Sequence, residues 1–236
     1  MKSYLALAWK ELKAQKITAI LILVAVIMST IMTTVIGQSI GILQSMRIQQ
    51  AAGLNGNRYA TFHQLEKEQA QNLHEDDRLY DVGDTIFIGS TPLGNSSLSL
   101  YLREYHDNAL SMYPAIGNVK EGRLPEEAIE IALSEDALQY LGLDAVIGDT
   151  VSLDLSVSVM DGSLPKLEYS ADFVLTGILE SSYIGYASGT VEGIVGEGTA
   201  EELLPEEYLL YSTDFKTYDK QNFQSIIYAL AEDLNV

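Results

Sequence analysis

Apolar and polar positions divide this chain into two unlike texts. From Ile17 to Ile36 every residue is isoleucine, leucine, valine, alanine, methionine, serine or threonine, and no charge interrupts the chain between Lys16 and Arg47. Twenty residues of helix rise about 30 Å, the thickness of a bilayer's hydrocarbon core. The pattern predicts a transmembrane helix over 17–46, its outer extension passing through Gly37, Gly41 and Ser45. A cleaved signal peptide has an apolar region of about 7–15 residues that closes on a small-residue cleavage site. Here the run is longer, and the nearest small cluster, Ala51-Ala52-Gly53, lies well beyond it, so an uncleaved anchor is expected.

The flanks set the orientation. Lys2, Lys10, Lys13 and Lys16 precede the run against the single acid Glu11, and an excess of lysine and arginine marks the cytoplasmic side. The amino terminus is therefore expected inside and the rest outside. Within 1–16, Leu5, Trp9 and Leu12 share a helical face, which suits a cytoplasmic amphipathic segment with Trp9, Lys10, Lys13 and Lys16 at the membrane interface. A plain topology signal is the simpler alternative, compatible with it.

Small residues recur every four positions along the apolar run: Ala25, Ser29, Thr33, Gly37, Gly41 and Ser45. Such a stripe lets a second helix approach closely, and Gly37 to Gly41 is a GxxxG step. The stripe drifts by about 40° per step on an ordinary helix, so only three or four consecutive members can face one partner. Chance in a composition rich in small residues is the alternative. Gly37-Gln38-Ser39-Ile40-Gly41 also spells GxSxG, but a nucleophile elbow needs a strand before the serine and a helix after it. An uncharged helical run offers neither.

Past Arg47 the pattern changes. Thr61 with Gln64 resembles a capping box opening a polar helix through about His74, with Phe62, Leu65 and Leu73 on its apolar face. Glu75, Asp76, Asp77, Asp81 and Asp84 lack calcium-loop spacing and read as a solvated loop. Alternation over 80–90 and 97–105, with Leu98, Leu100 and Leu102 opposite Ser97, Ser99, Tyr101 and Arg103, predicts a hairpin turning at Pro92–Ser96. Strand Glu130–Leu133 leads into a helix capped by Ser134 and ended by Gly142. Gly148-Asp149-Thr150 turns into a strand carrying Val151, Leu153 and Leu155. Asp161-Gly162 then turns toward a strand over Phe173–Leu179. A strand over Glu207–Thr213 and a helix over Tyr218–Leu234 close the series. The fold class expected is α+β: one membrane helix, then a mixed α/β outer domain over 47–236, built as two subdomains.

Charge and composition narrow the partners. The 236 residues carry a net charge of −19. Nine basic and 32 acidic residues follow residue 50, which puts −23 on the outer part. Nucleic acid, whose binding rests on phosphate neutralisation by Lys and Arg, is excluded as a partner. Anionic lipid headgroups would repel the outer part as well, leaving lipid contact to the helix. Cysteine is absent, which removes disulfides, thiol catalysis and thiolate metal sites. Asn95-Ser96-Ser97 is a glycosylation sequon only in a eukaryotic secretory pathway.

Candidate chemistry is sparse. Gly193-Ile194-Val195-Gly196-Glu197-Gly198-Thr199 lacks the phosphate-reaching lysine of a P-loop and carries a repelling glutamate, so a flexible loop is expected. His63, His74 and His106 show no HExxH and no close pair suited to zinc, and read as surface residues. No catalytic, cofactor or metal residue is named.

Several short pieces nevertheless fall in a telling order: Ala8-Trp9-Lys10-Glu11-Leu12-Lys13, the apolar run, Glu121-Gly122-Arg123-Leu124-Pro125, Glu130–Ser134, Leu141-Gly142, Gly148-Asp149-Thr150-Val151 and Phe173–Ile178 with Gly177. In that order they resemble FtsX-like, MacB-type ABC transporter permeases over essentially the whole chain. The resemblance implies a bacterial cell-membrane protein whose outer part is a MacB-like periplasmic core domain, and it gives Gly122, Arg123, Leu124, Pro125, Gly148, Asp149 and Gly177 structural roles. It implies a cytoplasmic ABC ATPase subunit as partner, a second permease copy, and a peptide, antibiotic or lipoprotein as substrate. Three further membrane helices would follow the outer domain, so the chain is expected to be the amino-terminal part of a permease. A single-pass anchored binding or sensor module without ATP coupling is the alternative; a tethered hydrolase is disfavoured because no nucleophile can be named.

Overall fold

A computed structural model describes residues 4, 10, 14–94, 96–160, 162–181 and 189–235. Trp9 and Lys13, most of the segment 1–13, Asn95 of the sequon and Asp161 of the second turn lie outside the described residues. The chain divides into two compact units, Met1–Gln50 and Ala51–Val236.

Helix α1 (Lys16–Asn55) dominates the first unit. Among the described residues it is the one helix long and apolar enough to cross a membrane, over Lys16–Arg47. Its apolar side chains, Ile27, Met32 and Ile36 among them, stand exposed. The hydroxyls along α1 find partners on its own backbone. Thr30, Thr33, Thr34 and Ser39 each donate to the carbonyl four residues back, at 2.8–2.9 Å. This arrangement satisfies the hydroxyls without leaving the helix.

Residues Ala51–Val236 form one compact unit. It contains β1 (Ala60–Leu65), α2 (Lys67–His74), β2 (Leu79–Pro92), β3 (Ser99–Tyr105), β4 (Val119–Gly122), β5 (Glu130–Ser134) and α3 (Glu135–Leu141). Then come β6 (Thr150–Val157), β7 (Leu167–Leu179), β8 (Thr190–Val195), α4 (Thr199–Leu203), β9 (Tyr211–Thr217) and α5 (Phe223–Leu234). Six strands close on themselves: β2 pairs with β3, β3 with β8, β8 with β5, β5 with β7, β7 with β6, and β6 returns to β2 through Ser90 and Ser156. β9 and β1 extend the sheet from the other stretch of β2, and β4 adds to the end of β7.

Period-two alternation explains the ring's interior. Leu100 and Leu102 of β3, Val151, Leu153 and Leu155 of β6, and Phe173 and Leu175 of β7 are buried in one apolar core. The hairpin expected from alternation is β2–β3. The strand, helix, strand, strand module also forms: Ser134 Oγ accepts from Ala137 N at 3.2 Å, and Gly142 ends α3 in the left-handed conformation.

Four expectations are corrected. Thr61 lies in β1, paired across to Asp214 of β9, and the capping box belongs to Glu66 and Gln69 at the start of α2. Cross-strand pairing overrides the local signal. The final strand is Tyr211–Thr217, preceded by a 3₁₀ turn over Glu206–Tyr208 that follows Pro205. The last helix begins at Phe223, because the Asp219 carboxylate accepts from Gln221 N and Asn222 N at 2.9 and 3.2 Å in a turn before it. The acids after His74 are not a solvated loop throughout: Asp76 pairs with Arg78, Asp81 with Lys216, and Asp84 is buried in β2.

Candidate functional site

The residues opposite the core leucines of β3 build a cleft. Tyr101 and Arg103 face away from Leu100 and Leu102, as strand alternation requires. They meet Phe87 and Ser90 of β2, His63 of β1, the end of β6 around Ser156, and Ser212 of β9. The cavity measures about 400 Å³. Phe87 and Tyr101 lie 5.4 Å apart between ring centroids, and the Arg103 guanidinium sits 5.8 and 6.0 Å from the two rings. Arg103 Nε also meets Glu192 Oε2 at 3.0 Å. Burial works against the arginine's charge and Glu192 outweighs it; the same burial pushes the Glu192 carboxyl up, with Arg103 opposing.

His63 Nδ1 lies 3.1 Å from Ser212 Oγ, the pairing a nucleophilic serine would need. Burial lowers the imidazole's pKa, and among the described residues no carboxylate pairs with it, so the orienting third member of a triad is missing. What the cleft offers is an aromatic wall, a cation and several hydroxyls.

A second polar arrangement corrects the glycine-rich stretch. Gly193 lies in β8, Thr199 opens α4, and the backbone between them is an ordered cradle for a carboxylate. Glu104, the last inward residue of β3 and 1% exposed, accepts from Gly198 N at 2.8 Å and from Ala200 N at 2.6 Å. His106 Nε2 lies 2.9 Å from the same carboxylate, so this histidine is half-buried rather than superficial. Burial alone would raise the Glu104 pKa, but His106 and the two N–H groups hold it below the usual carboxylate range. Glu104 in turn raises the pKa of His106. The stretch binds an anion, as glycine-rich turns do, and the anion is the protein's own.

The motif residues gather elsewhere, around one end of β7. Gly122 (φ +80°) pairs with Gly177, and Arg123 N donates to Thr176 O at 3.0 Å. The Arg123 guanidinium grips Glu130 at 2.8 and 2.5 Å. Leu124 packs on Ala132, Leu179 and Ile194, and Pro125 is half-buried beside it. Gly148 N donates to Leu175 O at 2.8 Å, and Asp149 Oδ2 accepts from Val146 N at 3.0 Å. None of these residues lines the cleft. Ala25, Ser29, Thr33, Gly37, Gly41 and Ser45 lie exposed on α1, as do Lys10 and Lys16 in the first unit. The sequence marks this cleft only through the Tyr101 and Arg103 face of β3.

No family model and no curated relative matches the sequence. Several solved structures are similar to it, two of them as follows. One is the periplasmic region of MacB from Actinobacillus actinomycetemcomitans, 16% identical, with a TM-score of 0.43 over 73% of this chain and 74% of that one. The other is the extracellular domain of the noncanonic ABC-type transporter YknZ from Gram-positive bacteria, 12% identical, with a TM-score of 0.43 over 70% of this chain and 88% of that one.

Proposed function

We propose that this chain belongs to a permease subunit of a MacB/FtsX-type ABC transporter in a bacterial cell membrane. The observation that carries the reading is the order of its pieces: a lysine-flanked, uncharged helix followed by an acidic, cysteine-free domain with the motifs of the first subsection in sequence. The lysines keep the amino terminus in the cytoplasm. ATP hydrolysis by a cytoplasmic partner moves the cytoplasmic side, and α1 passes that movement to the outer domain. The cleft of Phe87, Tyr101 and Arg103 then takes a peptide-like or lipoprotein segment.

Because the chain has no cysteine, single cysteines report topology cleanly. In intact cells a membrane-impermeant maleimide should label Glu232→Cys and leave Lys10→Cys unlabelled until the cells are opened. The reverse pattern overturns the orientation. Native membranes should yield an ABC ATPase subunit that copurifies with the chain. Correct topology without such a subunit would instead favour the anchored binding module.

A further inference from the structure

Three potential metal ligands converge outside the cleft. His74 stands at the end of α2, Asp84 is buried in β2, and Asp107 lies in the turn after β3. His74 Nε2 lies 2.9 Å from Asp84 Oδ2 and 3.8 Å from Asp107 Oδ2, and all three ligand atoms fall within 4.8 Å of one another. Zinc holds nitrogen and oxygen ligands at about 2.0–2.2 Å, which sets neighbours on a tetrahedral ion about 3.3–3.6 Å apart. The observed separations bracket that spacing.

The surrounding structure holds these groups in place. Thr213 Oγ1 donates to Asp84 Oδ1 at 2.5 Å, which occupies one carboxylate oxygen and leaves Oδ2 toward the histidine. Outer hydrogen bonds of this kind orient metal ligands. The turn bearing Asp107 lies directly on β2, since a Cβ at Gly83 would come 2.2 Å from Ala109 N. His106 N also donates to Asp84 O at 2.9 Å. Two carboxylates and an imidazole make a hard and borderline donor set that suits Zn²⁺ better than calcium or magnesium, which prefer oxygen alone.

From this geometry we infer that His74, Asp84 and Asp107 form a zinc site, with the ion's fourth position open to water. It ties α2, β2 and the turn after β3 together, independently of any transport role. The competing description is a helix-to-strand hydrogen bond between His74 and Asp84 with Asp107 incidental.

The full chain in detergent micelles, stripped with a chelator and titrated with zinc chloride at neutral pH, separates the two. Calorimetry should give one zinc per chain and a raised melting temperature. Asp107→Asn, at an exposed turn, and His74→Gln should each weaken binding by about tenfold or more, while His63→Gln leaves it unchanged. X-ray absorption of the zinc-loaded wild type should show one imidazole among oxygen ligands, a readout that does not depend on any variant folding. No zinc binding by the wild type, or unchanged affinity in both Asp107→Asn and His74→Gln, overturns the site.

Discussion

Helix α1 and the closed sheet use the same apolar residue types against opposite surroundings. Ile27, Ile31 and Ile36 on α1 are exposed, whereas Ile86, Ile88 and Ile131 in the sheet are at most 2% exposed. The helix pairs its interior backbone groups along its own length and leaves its apolar side chains exposed, as a helix suited to cross a membrane does. The domain must instead gain its stability from burial and close packing. A side chain removed from the sheet leaves a hole, while one added to the helix meets no packed neighbour. Variants that change one side chain at a time should expose this difference.

The largest effect is expected at Phe173, fully buried in β7 and part of the main core. Phe173→Ala removes a ring from the ring's interior and should cost about 3–5 kcal/mol. Chemical denaturation of the full chain in micelles, followed by the domain's near-ultraviolet signal, measures it. A loss well under that range would mean the strands do not close around a common core.

Gly177→Ala should follow. Its new Cβ would lie 2.2 Å from the Arg123 carbonyl oxygen, a backbone atom that cannot swing aside. Overpacking of this kind costs about 1–3 kcal/mol. The same denaturation assay reports it, and a neutral result would remove the structural role assigned to the motif around β7.

A smaller, pH-dependent effect belongs to Glu130. Arg123 holds its carboxyl down to about 2, against an ordinary value of 4.5, with the Glu126 and Glu127 backbone N–H groups helping. A carboxyl depressed by folding stabilises fully above its unfolded value and loses that contribution as pH falls through the folded one. The wild type should therefore lose melting temperature between pH 4.5 and about 2, and Glu130→Gln should start lower and fall less steeply. Parallel curves for the two proteins would show that the pairing does not stabilise the fold.

These regions also differ in how far they could be read in advance. β3 and β6 alternate cleanly because one face of each meets the core, and Ser134 and Gly142 bracket α3 with local chemistry alone. β9 was legible only in its first half, because it runs between β1 and β2 with the polar Thr213, Asp214 and Thr217 buried, and those letters carry no apolar alternation to extend the strand. Asp214 is legible only with its partners in place: Arg58 at 2.9 Å, the Thr61 hydroxyl, and Tyr113 at 2.6 Å, whose phenol burial and this carboxylate push up to about 12. The cradle at Gly198 depends on Glu104, far away in sequence. The cleft and the convergence of His74, Asp84 and Asp107 each draw on several strands and turns, and nothing local marks their members as neighbours.

The least effect on the domain, and the most informative about α1, is expected from Gly37→Leu combined with Gly41→Leu. A Cβ added at either position meets nothing within 4 Å beyond the helix's own backbone. Leucine is also a better helix former than glycine, so the variant should fold with unchanged domain stability. Thr33 and Ser45 of the same stripe donate their hydroxyls to the carbonyls of Ser29 and Ile42. What the stripe offers a partner helix is therefore close approach rather than polar bonds. Two isobutyl groups fill that groove, so crosslinking in membranes should show lost association with partner helices, which on the proposed function are other permease helices or a second copy. Unchanged association would leave α1 as an anchor only, and the small-residue repeat as a by-product of composition.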